Sequence, residues 1–203
     1  MKSLSEIDTV SKRSSRAAGY SWGVSEEIGK NIRLLEMFSL PGIKNLNDFY
    51  KKKKDLNLKN LKFINKENKV KDSQICPIVA GTNFLDQIIN LKNLNEIKFE
   101  RIAYPLLFLP FVSRASEVIG QRIYMKIEDK EFLLNFNSSI YSNFFKKEII
   151  ELAETISLKI IENQDLFEDN EWKELYKLSE ETFLEESEAL KQSAAGAGLT
   201  DND

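Results

Sequence analysis

The chain has 203 residues, with 29 basic and 32 acidic side chains, a formal charge of −3 and no histidine. A single cysteine excludes an internal disulfide framework, and a chain of this length folds without one. The absence of histidine excludes Ser-His and Cys-His catalytic arrangements and removes the commonest metal ligand. We therefore expect neither a metal nor a cofactor.

The first helix is predicted to begin after Ser3. Ser3 and Glu6 have the spacing of a capping box, in which each side chain bonds to the backbone amide of the other residue. Gly19 is expected to end the helix, because glycine readily takes the left-handed conformation found at helix C-termini. The apolar residues at helical spacing that form its predicted apolar face are Leu4, Ile7, Val10 and Ala17.

A second helix is predicted after a short aromatic loop at residues 20–23. Ser25 is interpreted as its N-cap, followed by two glutamates that suit the positive end of the helix dipole. The predicted buried face consists of Ile28, Ile32, Leu35 and Phe38. Pro41 and Gly42 are expected to stop the helix, so the first two helices form a hairpin.

Charge is distributed unevenly along the chain. Residues 40–71 carry ten lysines against three acids, whereas residues 148–203 carry sixteen acids against four lysines. The lysine run at residues 51–54 lies in a segment without arginine or a recognition-helix pattern, and the chain is acidic overall. A solvated loop is therefore favoured over nucleic-acid binding, and we expect no nucleic-acid partner.

The middle of the chain is predicted to be rich in strands. They are expected at residues 73–80, 97–104, 122–128 and 131–136. Pro77 interrupts the first of them, and residues 84–91 are interpreted as a helix. A kinked helix is expected to end at Gly120, and the strands at residues 122–128 and 131–136 are expected to form a hairpin about Asp129 and Lys130. Residues 144–161 fit either a helix or a strand.

A last helix is predicted from Asn170 onwards. Its apolar residues are Trp172, Leu175, Tyr176, Phe183 and Leu190. Since no βαβ repetition occurs, the predicted fold class is α+β: an N-terminal helical hairpin packed with a small, mainly antiparallel sheet and a long C-terminal helix. Residues 1–193 are expected to form this single domain, followed by a flexible Gly/Ala-rich tail at residues 194–203.

The sequence predicts a soluble, cytoplasmic protein. The N-terminus lacks the apolar region of a secretory signal. The longest apolar run, residues 102–112, has about half the length that a membrane-spanning helix needs, so we interpret it as core and expect no membrane partner.

Cys76 lies between Ile75 and Pro77 in an apolar run. A nucleophilic cysteine needs a cationic or helix-terminal setting that lowers its pKa, and no histidine is present to provide one. We therefore expect Cys76 to be reduced and buried.

The densest cluster of functional side chains lies between the first two helices. The candidate ligand-binding residues are Arg13, Arg16, Tyr20, Trp22 and Ser25. Two arginines three residues apart can grip a carboxylate or phosphate, with the aromatic side chains as a wall and the free amides of the second helix facing the same space. The alternative is structural: the arginines cap one helix and the aromatic rings plug the hairpin.

The C-terminal tail is the second candidate site. Its candidate partner-binding residues are Gly196, Gly198, Leu199, Asp201 and Asp203. The glycines allow close approach of another backbone, Leu199 suits a small apolar pocket, and the aspartates suit a basic cradle. The alternative is that the tail is disordered and binds no partner.

Four stretches resemble the bacterial domain of unknown function 3726 family. They are SRAAGYSWGVSEEIGKNI at residues 15–32, CPIVAG at residues 76–81, YPLLFLPFVSRASEVIG at residues 104–120 and the closing GAGLTDND at residues 196–203. The resemblance extends over nearly the whole chain. It implies a small cytoplasmic bacterial protein and brings no catalytic residues, and it favours a metabolic role over a nucleic-acid one.

Two functions of different class follow. The first is a non-catalytic accessory or partner subunit of a small-molecule metabolic enzyme, engaged through the C-terminal tail; another copy of the same chain is the second possible partner. The alternative is a histidine-free enzyme or binding protein for a small anionic metabolite, which uses Arg13, Arg16 and the loop from Tyr20 to Trp22.

Overall fold

The computed structural model describes residues 2–144 and 148–182. The chain divides into two compact units, residues 1–163 and residues 164–203. The boundary that we expected after residue 193 lies outside the described residues. No helix in the described ranges is long and apolar enough to cross a membrane.

The first unit contains helices and strands in mixed order. Its helices are α1 (Leu4–Ala17), α2 (Trp22–Met37), α3 (Gly42–Lys52), α4 (Pro77–Leu91) and α5 (Leu109–Ile119), with a 3-10 turn at Pro105–Leu107. Its strands are β1 (Leu58–Lys59), β2 (Glu67–Asn68), β3 (Gln74–Ile75), β4 (Glu96–Ala103), β5 (Arg122–Ile127), β6 (Lys130–Asn135), β7 (Ser139–Ser142) and β8 (Leu152–Ile161).

The described strands form one mainly antiparallel sheet, in the order β1-β3-β4-β8-β5-β6-β7. The last strand, β8, is inserted in the middle and pairs antiparallel with both β4 and β5. The short strands differ from this pattern, because β1 pairs parallel with β3, and both β2 and β3 pair parallel with β4. The predicted α+β class and mainly antiparallel sheet are confirmed.

The core lies between the sheet and the helices. Alternate residues of the central strands are buried, as in β5, where Ile123, Met125 and Ile127 are inaccessible to solvent. Helix α4 reaches the sheet through Phe84, whose ring lies edge-on to Phe99 of β4. Helix α5 packs against α4, β5 and β6, and α2 packs on α4 and α5. The helices therefore cover the sheet in successive layers.

The N-terminal hairpin is confirmed, but α1 packs through a different face from the predicted apolar one. The buried residues of α1 are Ser11 and Ser15, while Leu4 and Val10 are exposed. The reason is close packing on α2: a Cβ placed on Gly29 would lie 2.7 Å from the Asp8 carboxylate. Small side chains let the two helix backbones approach, and of the predicted apolar face Ile7 packs against the core while Leu4 and Val10 remain exposed.

Two segments of the middle region differ from their prediction. Helix α3 occupies residues 42–52, part of which was expected to be a solvated loop, and it buries Leu46 and Phe49. Helix α4 begins at Pro77, inside the predicted strand 73–80, because proline suits the first turn of a helix, where no amide partner is needed.

Two further segments of the first unit are close to their predictions, whereas β1, β2 and β7 were not predicted. The kinked helix is confirmed as the 3-10 turn followed by α5, with Gly120 in the left-handed conformation at its end. The hairpin of β5 and β6 is also confirmed, although its two-residue turn is Glu128 and Asp129. The ambiguous segment contains a strand, β8.

The second unit contains α6 (Asp169–Glu180) among its described residues. The predicted long C-terminal helix is therefore not supported, since α6 has 12 residues. Phe183 and Leu190, which were expected on the same helix, lie outside the described residues.

Candidate functional site at the turn between the first two helices

The turn between α1 and α2 is short and well capped. Ser3 and Glu6 form the predicted capping box at the start of α1, and Gly19 follows its end with φ +95°. The N-cap of α2 is Ser21, whose hydroxyl accepts a hydrogen bond from the Val24 amide at 3.3 Å. The interpretation of Ser25 as the N-cap is wrong, because α2 begins one turn earlier.

Arg16 is held across this turn. Its guanidinium donates a hydrogen bond to the Tyr20 carbonyl at 2.8 Å and lies 5.5 Å from the centroid of the Trp22 ring. Trp22 itself is 57% exposed. Arg13 is exposed and has no hydrogen-bond or ion-pair partner in the described part of the chain. The two arginines therefore differ: one is fixed by the turn, and the other is available to a ligand.

The Tyr20 side chain is half-buried beneath the turn. Its ring centroid lies 6.2 Å from that of Tyr50, and the Lys53 ammonium lies 3.9 Å from the Tyr20 centroid. Lys53 also donates to the Ala18 carbonyl at 3.1 Å, and so it caps the C-terminus of α1. Tyr50 donates to the Ser15 hydroxyl at 2.6 Å. Tyr50 and Lys53, at the end of α3, therefore pack against the turn between α1 and α2.

Cys76 completes this cluster from the start of α4. The thiol is buried and unpaired with another cysteine, as predicted. Burial raises the pKa of the Cys76 thiol, although the amides of Ile78 and Val79 and the Tyr20 hydroxyl act in the opposite direction. Burial also raises the pKa of Tyr50 to about 12. Both groups are therefore neutral at pH 7, and the geometry indicates a packing role for Cys76.

Ser25 lies inside α2 and not on the exposed turn. Its side chain is fully buried, and its hydroxyl has no hydrogen-bond partner among the described residues. The structure therefore brings Arg16, Tyr20 and Trp22 together, leaves Arg13 exposed one helical turn earlier, and places Ser25 in the helix-packed interior.

A second polar cluster joins α2 to α5. Arg114 forms an ion pair with Glu27 and donates to the Asn31 side chain at 3.3 Å. Burial opposes the ionisation of Glu27, but hydrogen bonds from Lys30 and Arg114 hold the pKa of Glu27 below its usual value. Sequence reasoning assigned this glutamate only to the first turn of a helix and missed its partner 87 positions away.

Helix α6 of the second unit is amphipathic, and all its side chains are exposed. Trp172, Leu175 and Tyr176 are 57%, 65% and 54% exposed and recur at helical spacing. Phe167 stacks on Trp172, with ring centroids 5.6 Å apart. These side chains form an exposed apolar face, which we call the α6 face.

The predicted tail residues lie outside the described residues; they are Gly196, Gly198, Leu199, Asp201 and Asp203. Within the described residues, no group of three or more His, Cys, Asp or Glu side chains could hold a metal ion.

The fold and the turn define the chain as a mixed α+β protein with a capped N-terminal helical hairpin. Residues 2–75 match the model of the family described as "Protein of unknown function (DUF3726)", which supports the resemblance over that part of the chain. This match contains α1, α2, α3 and the arginine turn, and of the four resembling stretches it includes residues 15–32. No curated protein and no solved structure matches the chain.

Proposed function

We propose that the protein is a non-catalytic accessory subunit that binds a small-molecule metabolic enzyme through its C-terminal segment, in the cytoplasm of a bacterium. The α6 face supports this proposal, because three large apolar side chains on one helix are each more than half exposed. Exposed apolar patches of this kind are typical of protein-binding surfaces. The tail residues 196–203 are proposed to extend the same contact.

The chemistry of the segment defines the partner surface. Residues 164–182 carry seven acidic side chains and two lysines around the α6 face. An amphipathic helix of this type binds in an apolar groove, and its acidic side chains pair with a basic rim. The partner is therefore an enzyme with an apolar groove flanked by lysine or arginine.

The test replaces Trp172, Leu175 and Tyr176 together by alanine. Alanine preserves helix propensity, so the change removes apolar contact area without breaking α6. The intact chain is used to isolate the metabolic enzyme from its native host, and binding is then measured with both proteins purified. We expect the substitutions to weaken this binding at least about a hundredfold, because aromatic anchors dominate such interfaces.

The matched control replaces Lys173 and Lys177 of the same helix by alanine, and it should bind normally. A second variant lacks residues 196–203 and should also lose affinity. Equal binding by the intact chain, the triple variant and the shortened chain would contradict the proposal.

The second candidate is a binding protein or a histidine-free enzyme for a small anionic metabolite. It is supported by the position of Arg16 over Trp22 beside the N-terminus of α2, with Arg13 exposed and unpaired one turn away. The amides of a helix N-terminus favour an anion, and arginine adds forked donors. Ser25 is removed from this candidate site by its burial.

Thermal unfolding in sulfate or phosphate tests this candidate. We expect a concentration-dependent increase in Tm that is absent in chloride of equal ionic strength and lost in the double variant Arg13→Ala, Arg16→Ala. Lys92→Ala with Lys159→Ala removes the same charge elsewhere and should retain the increase. Equal increases in Tm in every salt and for all three proteins would show a non-specific salt effect.

A further inference from the structure

The connection between α3 and β3 is long, has little regular structure and is nevertheless firmly held. It runs through residues 53–73 and contains only the two-residue strands β1 and β2. Connections of this length inside a compact domain are uncommon and are often functional.

Side-chain amides from α4 pin this connection in place. Asn83 donates to the Leu61 carbonyl at 2.9 Å, and Gln87 donates to the Lys62 carbonyl at 2.9 Å. Gln87 also accepts a hydrogen bond from the Ile64 amide at 3.1 Å. The exposed side chains of the segment are therefore carried on a backbone that is fixed before any ligand binds, which lowers the entropic cost of binding.

Residues 57–63 and residues 69–73 of this connection line a surface groove of about 720 Å³, which we call the lysine groove. Four lysines line it, and no acidic residue does. Lys69 is paired with Glu100 at 2.7 Å, but Lys59, Lys62 and Lys71 are exposed and have no ion-pair partner among the described residues. The groove thus presents three uncompensated positive charges.

Apolar side chains alternate with these lysines. Leu61 and Val70 line the groove, and Phe63 at its side is 77% exposed. A partner that covers the Phe63 ring would remove apolar surface from water, which favours binding. The groove therefore combines an apolar patch with uncompensated cations.

We infer that the lysine groove binds an acidic segment of a partner polypeptide, in which carboxylates flank one apolar side chain. The carboxylates pair with Lys59, Lys62 and Lys71, and the apolar side chain covers Phe63. The cations of residues 40–71 are all lysines, so the forked donors that favour phosphate recognition are missing. A single aromatic side chain also differs from the series of stacking platforms that single-stranded nucleic acid uses.

The test measures binding of the full chain to a short fluorescent peptide in which glutamates flank a central leucine. We expect saturable binding that weakens with salt, because exposed charge pairs are screened. The triple variant Lys59→Ala, Lys62→Ala, Lys71→Ala should bind at least about tenfold more weakly. The matched control, Lys92→Ala, Lys126→Ala, Lys159→Ala, removes three exposed lysines elsewhere and should retain the affinity.

Two further comparisons define the occupant. Phe63→Ala should weaken binding of the leucine peptide but not of a peptide of glutamates alone. An oligo-thymidylate of matched charge should bind more weakly than the leucine peptide. Any of three outcomes would overturn the inference: no saturable peptide binding, equal loss of affinity in the two triple variants, or tighter binding of the oligonucleotide. These measurements do not involve the α6 face, so they test the groove independently of the proposed function.

Discussion

Replacement of Phe108 by alanine is expected to lower the free energy of unfolding by about 3–5 kcal/mol, the largest effect of any single truncation that we predict. The Phe108 ring lies edge-on to Phe99 at 5.0 Å and to Phe84 at 5.8 Å between centroids. All three side chains are essentially inaccessible to solvent. Their contacts join α4 to the central strand β4, so a cavity at Phe108 removes packing between the helix and the sheet.

Denaturant unfolding of the purified chain measures this effect. Phe63→Ala is the matched control, because it removes the same side chain where it is 77% exposed, and it should change stability by less than about 0.5 kcal/mol. Phe108→Leu should give an intermediate loss. Similar stabilities for the Phe108 and Phe63 alanine variants would show that the aromatic cluster does not stabilise the fold.

Gly81→Val is expected to destabilise the protein by about 3 kcal/mol through overpacking. Gly81 lies in α4 where the Phe111 ring of α5 packs directly on its backbone, and a Cβ would overlap that ring. A better helix former than glycine gains only about 1 kcal/mol in a helix. The steric effect therefore exceeds the propensity gain.

Gly23→Val provides the control, because Gly23 also lies in a helix but has open space around its Cβ position. It should be tolerated in the same denaturation assay. Phe111→Ala should lower the free energy of unfolding less in the Gly81→Val variant than in the unmodified protein. The reason is that truncation of the ring makes room for the valine side chain. Strict additivity of the two substitutions would argue against the proposed clash.

Local signals predicted the parts of the fold that depend on neighbouring residues. The capping box of Ser3 and Glu6, the glycine stop at Gly120 and the β5–β6 hairpin each depend on a few adjacent residues. These elements form where their sequences predict them, to within one or two positions.

The predicted secondary structure was wrong where local sequence signals conflict or where tertiary packing determines which face of a helix is buried. Pro77 both interrupts a strand and starts a helix well, and tertiary contacts of Ile78 and Phe84 favour the helix. Ser21 and Ser25 are both acceptable N-caps, and the longer helix that Ser21 allows is the one formed. In α1 the serine face is buried because Gly29 permits close helix packing, which no propensity scale contains.

The candidate site was predictable only at its surface. The arginines and aromatic residues of the turn all lie within residues 13–22, and the spacing of Arg16, Tyr20 and Trp22 indicated their proximity. Their supports come from the end of α3 and the start of α4, through Lys53 and Cys76. No pattern within the turn could specify these partners, because the contacts depend on the tertiary arrangement of distant helices.

The central position of β8 has a consequence for biosynthesis. Since β8 pairs with both β4 and β5, the two halves of the sheet are joined by the last strand of the first unit to leave the ribosome. Until residue 161 emerges, β4 and β5 each expose an unpaired edge that can pair with other chains. In the nascent protein the sheet therefore closes only after residues 152–161 have been translated, and until then these edges are open to pairing with other chains.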